Sequence, residues 1–167
     1  MRIPSRAEVD AFCGSPTTLW QRILGILSPV VLLGAIVFVL IRWPQLPAQI
    51  PSNYNAAGKV TGYSSRGLLF LMPAIGLIGD ALIAIVERIP QTWNTGVRVT
   101  LYNRVRVYRL VRDLMAELRL ALALSFAGIT VCQSLALEHL SGNVTGALVL
   151  ISLGPLVRYF IRLLKAR

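Results

Sequence analysis

Hydrophobic and polar positions form long blocks along this chain, with four apolar runs separated by polar segments. The first run has no charged residue and would be ~28 Å long as a helix, enough to cross a hydrocarbon core of about 30 Å. The other three are of similar length and carry few charges. The pattern therefore predicts an all-α bundle of four transmembrane helices. The four runs cover residues 23–41, 68–86, 115–137 and 146–163.

Composition supports this architecture and excludes two others. Hydrophobic residues make up 55% of the 167 residues and charged residues only 14%, whereas a soluble domain usually has about 25% charged residues. The mean hydropathy of +0.66 also excludes the polar composition of a disordered chain. We therefore expect residues 1–22 to form a cytoplasmic tail and residues 23–167 to form the four-helix transmembrane domain.

The charges are distributed unevenly over the predicted loops. The chain has 17 Lys and Arg against 7 Asp and Glu, a net charge of +10. With both termini cytoplasmic, fourteen of the 17 basic residues lie on the cytoplasmic side, as the positive-inside rule requires. We predict this orientation, with an ordered loop 42–67 outside and a basic loop 87–114 inside. The lipid bilayer then explains the basic charge, and no nucleic-acid partner is expected.

Residues 97–112 form an arginine-rich run before the third span. Its apolar positions fit both the period of a strand and the stripe of a helix. We favour a helix, because no turn signal separates the run from the third span. It would lie at the inner interface or extend that span into the cytoplasm. Its arginines either sense anionic lipid or a partner, or only determine the topology.

Asp80 lies well inside the second span, where a charge costs at least ~2.5 kcal/mol on insertion scales. It should therefore face a partner or water, or be protonated. Arg158 holds the matching position in the fourth span, which predicts an Asp80–Arg158 pair. Arg119 and Arg112 are rival partners, and Arg158 has the alternative of extending to the inner interface. A lone buried acid also marks proton or ion paths in some membrane proteins.

Small residues recur along the third span at spacings that allow close helix approach. They either pack against helices of the same chain, which we favour, or form a homodimer face. These residues are Ala121, Ala123, Ser125, Ala127 and Gly128.

The outer loop, residues 42–67, is the most distinctive stretch of the sequence. Pro44, Pro47 and Pro51 fix an extended or turning backbone, and the Asn55-to-Gly58 segment supplies a turn. A loop this long in so small a protein is typical of a functional element or of a cap on the bundle. Trp20, Trp43 and Trp93 lie near predicted span boundaries, and we expect them to be interfacial anchors.

This loop follows the pattern L-P-x-x-I-P-x-x-[FY]-N-x-x-G and then G-[YW]-x-S-[KR]. In this it resembles the domain of unknown function 1648, found in small bacterial membrane proteins and as the front part of SdpI-type immunity proteins, which protect a cell against a secreted toxin. The resemblance implies a multi-pass protein of the bacterial cytoplasmic (inner) membrane, with an immunity-like or sensor-like loop. The matching residues are Leu46, Pro47, Ile50, Pro51, Tyr54, Asn55, Gly58, Gly62, Tyr63, Ser65 and Arg66.

The chain departs from the family pattern at three places. The family usually has His at the position of Asn53, and often Asp at that of Thr61 and Lys at that of Arg66. A His–Asp pair can bind a metal or a proton, but Asn53 and Thr61 cannot titrate, which favours a structural or recognition role. His139 and Glu138 in the other outer loop offer too few ligands for a metal site.

The sequence contains no Gly-rich phosphate loop, nucleophile elbow or metal-ligand cluster, so we expect no enzymatic activity and no cofactor. Three functions remain open. The chain is a stand-alone protein whose outer loop recognises a peptide, lipid or envelope component, or it is an accessory subunit of a larger membrane complex with a contiguous apolar docking surface. The third alternative is a transporter or enzyme built around Asp80, which requires a polar cavity that reaches this residue.

Overall fold

A computed structural model describes residues 17–55, 57–93, 95, 97, 103–136 and 142–164. Within these residues the chain forms four long helices, with a β-hairpin between the first and the second. The helices are α1 (Leu19–Arg42), α2 (Leu71–Val86), α3 (Arg104–Ser134) and α4 (Gly142–Leu164), and the strands are β1 (Gln49–Tyr54) and β2 (Val60–Ser65). Three short 3-10 turns cover Trp43–Gln45, Arg66–Phe70 and Pro90–Thr92.

The all-α class predicted from the sequence is confirmed, with the hairpin as an addition. Four helices are long and apolar enough to cross a membrane, so the chain has the architecture of a multi-pass membrane protein. The four spans are Leu19–Gln45, Arg66–Val86, Val105–Ser134 and Gly146–Leu164.

The first helix begins four residues before the apolar run because its polar start is capped. The Thr18 side chain accepts a hydrogen bond from the Gln21 backbone at 3.2 Å, and the Gln21 side chain accepts one from the Thr18 backbone at 3.1 Å. This reciprocal capping box satisfies two backbone donors that a helix start leaves free. The Gln21 amide also donates to Asp113 of α3 at 2.7 Å, so the cap is tied to the bundle.

The central helix of the bundle is α3, which packs against α1, α2 and α4. The small residues predicted to mediate close packing are buried between helices of the same chain. These buried residues are Ala121, Ala123, Ser125 and Ala127. The Ser125 and Ser152 hydroxyls meet 2.8 Å apart between α3 and α4. A side chain at Gly128 would collide with Leu148 of α4. Small residues thus bring α3 close to its neighbours in the same chain.

The basic run extends α3 beyond the length of a membrane span. Helix α3 has 31 residues, or about 46 Å at the usual rise, against about 30 Å for a hydrocarbon core. The run is helical from Arg104 onwards, as favoured by the sequence, while residues 98–102 lie outside the described part of the chain.

The fourth helix is the least enclosed. Only 6% of its apolar window is buried, against 33% for the third span. It packs mainly against α3, and most of its remaining surface faces outward.

Gly76 of α2 provides a test of the packing between the first three helices. A Cβ at this position would lie 2.6 Å from Leu32 of α1 and 3.1 Å from Phe126 of α3, and Leu32 is fully buried. We expect Gly76→Ala to lower the free energy of unfolding in detergent by about 1–3 kcal/mol, as overpacking usually does.

Gly79→Ala is the matched control, because a Cβ there meets nothing within 4 Å. Both substitutions give α2 the same gain in helix propensity, so their difference isolates packing. Equal stability of the two variants would contradict the predicted contact.

Candidate functional site

The outer loop folds into an antiparallel hairpin. Ile50 pairs with Ser64, Asn53 with Gly62, and the register shifts on both sides of Asn53. The β2 strand alternates between half-buried and exposed positions, so one face of the hairpin points away from the bundle. The sequence predicted an ordered loop here, and in the structure this loop forms two paired strands.

Two residues of the family pattern, Asn55 and Gly58, build the turn between the strands. The Asn55 side chain accepts a hydrogen bond from the Lys59 backbone at 3.0 Å, and its carbonyl accepts one from Gly58 at 2.8 Å. Gly58 has a φ of +78°, in the left-handed region that glycine occupies without steric cost. The turn therefore depends on both residue types.

Gly62 leaves room for the side chain of Asn53 at the register shift. A Cβ at Gly62 would lie 2.9 Å from the side-chain nitrogen of Asn53. A larger residue at Gly62 would therefore move the exposed end of that side chain.

An apolar cluster anchors the hairpin on the bundle. Ile50 of β1 and Leu46 before it pack with Val39 of α1 and with Leu69, and all four side chains are buried. Pro51 is buried beside them. Burial of this apolar surface stabilises the contact between the hairpin and the bundle. Tyr54 is half-buried near Cys132 of α3, and burial, with smaller contributions from Cys132 and Tyr63, raises its pKa.

Arg66 ties the end of β2 to the end of α1. Its guanidinium lies 4.5 Å from the ring centre of Trp43, and it donates hydrogen bonds to the carbonyls of Leu46 at 3.2 Å and Trp43 at 3.4 Å. A planar guanidinium can stack and bond two carbonyls together, which a lysine ammonium does less well. Ser65 accepts a hydrogen bond from Gly67 and caps the next turn.

Few residues of the family pattern remain on the outer face. Four of the eleven are exposed, Pro47, Asn55, Tyr63 and Ser65, and of these Asn55 forms the turn and Ser65 the cap. Tyr63 has 61% of its surface accessible. Asn53 and Thr61, where the chain departs from the family pattern, are exposed beside Tyr63. The pattern therefore mainly builds and anchors the hairpin, while Thr61, Tyr63 and Ser65 lie at the exposed positions of β2 and Asn53 is exposed on β1.

A second polar cluster lies between α1, α2 and α3. Arg119 of α3 holds Asp80 of α2 through two hydrogen bonds of 2.8 and 3.0 Å. It also donates to Glu87 at 3.2 Å and to the Gly25 carbonyl at 3.1 Å. The Ser28 hydroxyl of α1 donates to Asp80. Both charged side chains of the central pair are about 10% exposed.

The predicted Asp80–Arg158 pair is wrong, since Asp80 pairs with Arg119, one of the two rivals. Arg158 instead lies 2.7 Å from Glu117 of α3. The reason is the position of α4, which lies along α3, whereas α2 packs against α1 and α3. Asp80 and Arg158 occupy corresponding positions in their spans, but on helices that do not face each other.

The pKa of Glu87, just after α2, reports the competing forces at this cluster. Burial raises the pKa of its carboxyl, and the nearby Arg119 and Arg112 lower it, with burial dominating. The carboxyl of Glu87 is thus partly shielded from water and lies near two positively charged arginines.

A cavity of about 490 Å³ opens beside this cluster, at the end of the bundle where α1 begins and α2 ends. We call this the basic end. Arg119 and Glu87 line the cavity, but Asp80 does not. This cavity therefore approaches Asp80 only through its partner Arg119. Within the described residues, no three His, Cys, Asp or Glu lie close enough to hold a metal ion; His139 and Glu138 lie outside those residues.

Comparisons with known proteins agree with the resemblance found in the loop. Residues 30–77 match the model of a family described as a domain of unknown function (DUF1648), a stretch that runs from α1 through the hairpin into α2. The chain is 33% identical over 67 residues to an uncharacterised protein of Archaeoglobus fulgidus. This match covers 40% of the chain but 32% of that relative, so the chain spans about a third of its length. No solved structure matches.

The ion pair makes a testable prediction. We expect Asp80→Asn and Arg119→Gln each to lower the free energy of unfolding by about 3–5 kcal/mol, because each leaves the other charge buried without its partner. The double variant should lose clearly less than the sum of the two, since the interaction is removed only once.

Asp80→Asn combined with Arg158→Leu is the matched control, and its two effects should add within about 0.5 kcal/mol, as for independent sites. Chemical unfolding in one detergent measures all variants. Additivity for Asp80 and Arg119 would contradict the pair.

Proposed function

We propose that this chain is a non-enzymatic multi-pass membrane protein whose hairpin recognises a peptide, a lipid or another envelope component outside the cytoplasmic membrane. An immunity-like or sensor-like role is the form this function takes in the resembled family. One observation carries the proposal. The residues that match the family pattern build the hairpin and anchor it on the end of the bundle. The hairpin also has exposed side chains that contribute nothing to this packing.

The chemistry of these exposed side chains favours recognition over catalysis. Tyr63 combines a large apolar ring with a hydroxyl that can donate and accept a hydrogen bond, which makes tyrosine common at binding surfaces. Asn53 and Thr61 add neutral hydrogen-bonding groups. Neither titrates near neutral pH, so a neutral ligand suits these side chains better than a metal or a proton.

The hairpin is anchored in the way a recognition element requires. Its base is held by the apolar cluster around Ile50 and by the Arg66–Trp43 contact, so little backbone entropy remains to be lost when a ligand binds. Such preorganisation raises affinity without adding contacts.

A second function, that of an accessory subunit, is favoured by the surface of α4. Leu150 and Phe160 are 73% and 60% exposed, and almost none of the helix's apolar window is buried in the chain. In a membrane this surface faces either lipid tails or the helix of another protein.

The orientation can be measured by cysteine labelling. In a background of Cys13→Ser and Cys132→Ala, we expect Lys59→Cys in the hairpin turn to react with a membrane-impermeant maleimide in intact cells. Arg106→Cys at the basic end should react only after the membrane is opened, because the positive-inside rule places that end in the cytoplasm. The reverse pattern would overturn the orientation and the outer location of the hairpin.

Site-specific photocrosslinking separates the two functions. A photoreactive phenylalanine analogue is placed at Tyr63 in one variant and at Leu150 in the other, in the native membrane. Recognition by the hairpin predicts a defined product from position 63 that is lost with Thr61→Lys and Asn53→Lys, and lipid adducts only from position 150.

A stoichiometric protein product from position 150, with none from position 63, would support the subunit and reject the recognition face. The two lysine substitutions lie at exposed positions, so equal yields of folded protein, checked by circular dichroism, exclude misfolding as the cause of a lost product.

A further inference from the structure

We propose that the cavity at the basic end binds a phosphate-bearing anion, supplied either by the headgroup of an anionic membrane lipid or by a soluble phosphate compound. The proposal does not depend on the function of the hairpin, because the cavity lies at the opposite end of α1. It rests on the residues that line the cavity and on the cavity's size and location.

Arginines dominate the lining. Arg22 of α1 and Arg88, just after α2, are exposed at the rim, whereas Arg112 of α3 is only 8% exposed. Arg119 forms part of the inner wall together with Glu87. The remaining lining residues are Thr17, Gln21, Gly25 and Ala84.

The cavity lining carries more positive than negative charge. Arg119 is held by Asp80 and Glu87, the carboxylates nearest to the inner wall. Asp113 also approaches the rim, where it accepts a hydrogen bond from the Gln21 amide. The four lining arginines exceed these three carboxylates by one positive charge. A cation would be repelled here, and an anion is attracted.

The type of residue favours phosphate among anions. A guanidinium presents several N–H donors in a planar fork that fits the oxygens of a phosphate group. Arg22 of α1 and Arg88, just after α2, are exposed on separate elements and can approach one phosphate from different sides. The Nε of Arg22 donates a hydrogen bond to the Thr17 hydroxyl at 2.9 Å. This contact orients the guanidinium and does not use its two outer nitrogens.

Size and location agree with this ligand. A volume of about 490 Å³ is within the roughly 300–1,000 Å³ of sites for small molecules and far exceeds the roughly 30 Å³ that one water occupies. The cavity lies beside the first turns of α1, at the end of a membrane span, which is the depth of lipid headgroups.

The test uses the full chain in nanodiscs and the variant Arg22→Gln/Arg88→Gln. Both positions are exposed and neither belongs to the Arg119 ion pair. The matched control is Arg106→Gln/Arg109→Gln, which removes two exposed arginines from the same end without touching the cavity lining. One arm measures retained phosphatidylglycerol by native mass spectrometry. The other measures protection from thermal unfolding by inorganic phosphate in nanodiscs of uncharged phosphatidylcholine.

We expect binding in at least one arm, with a loss of at least about 100-fold in the cavity variant, because two arginines then lose hydrogen bonds to a charged phosphate. The control should lose at most about 30-fold in the lipid arm, which is the general attraction of two arginines to an anionic surface, and less than about threefold in the phosphate arm. Binding of phosphatidylglycerol alone identifies the lipid as the source, and protection by inorganic phosphate identifies a soluble ligand. Absence of binding in both arms, or an equal loss in the control, would overturn the proposal.

Discussion

The arrangement of the first three helices depends on one buried arginine. Arg119 binds Asp80 with two nitrogens and reaches Glu87 and the Gly25 carbonyl with the same guanidinium. Both side chains of the central pair are about 10% exposed, so little water can replace these partners, and a displaced Arg119 would leave charges on two helices unpaired. Because the fork of N–H donors is planar and rigid, it fixes the depth and the rotation of α1 and α2 against α3.

At the other end, the family pattern describes a scaffold more than a ligand site. Gly58 and Asn55 shape the turn, and the apolar residues of the pattern pack against the bundle. Arg66 stacks on Trp43 and holds the end of β2 against the end of α1. The exposed positions of the hairpin include Asn53 and Thr61, where the chain departs from the pattern. Relatives with the same pattern can therefore share the hairpin while differing at its exposed positions.

The spans, their number and the extension of α3 were predictable because hydropathy and helix period depend on local sequence. The partner of Asp80 was not, because a sequence gives the depth of a residue in its span but not which helix its side faces. Trp43 was expected to be an interfacial anchor, yet it stacks against Arg66, a contact between residues on either side of the hairpin. The basic cavity was invisible for the same reason, since three distant segments line it.

The separation of Asp80 and Arg119 along the chain also constrains biosynthesis. The two residues are 39 positions apart, and ribosomes add about 5–20 residues per second. Asp80 is therefore made on the order of seconds before the arginine that neutralises it. During that interval Asp80 has no basic partner on α3, at a cost of at least ~2.5 kcal/mol on insertion scales. Insertion of α2 and α3 as a pair would remove this cost.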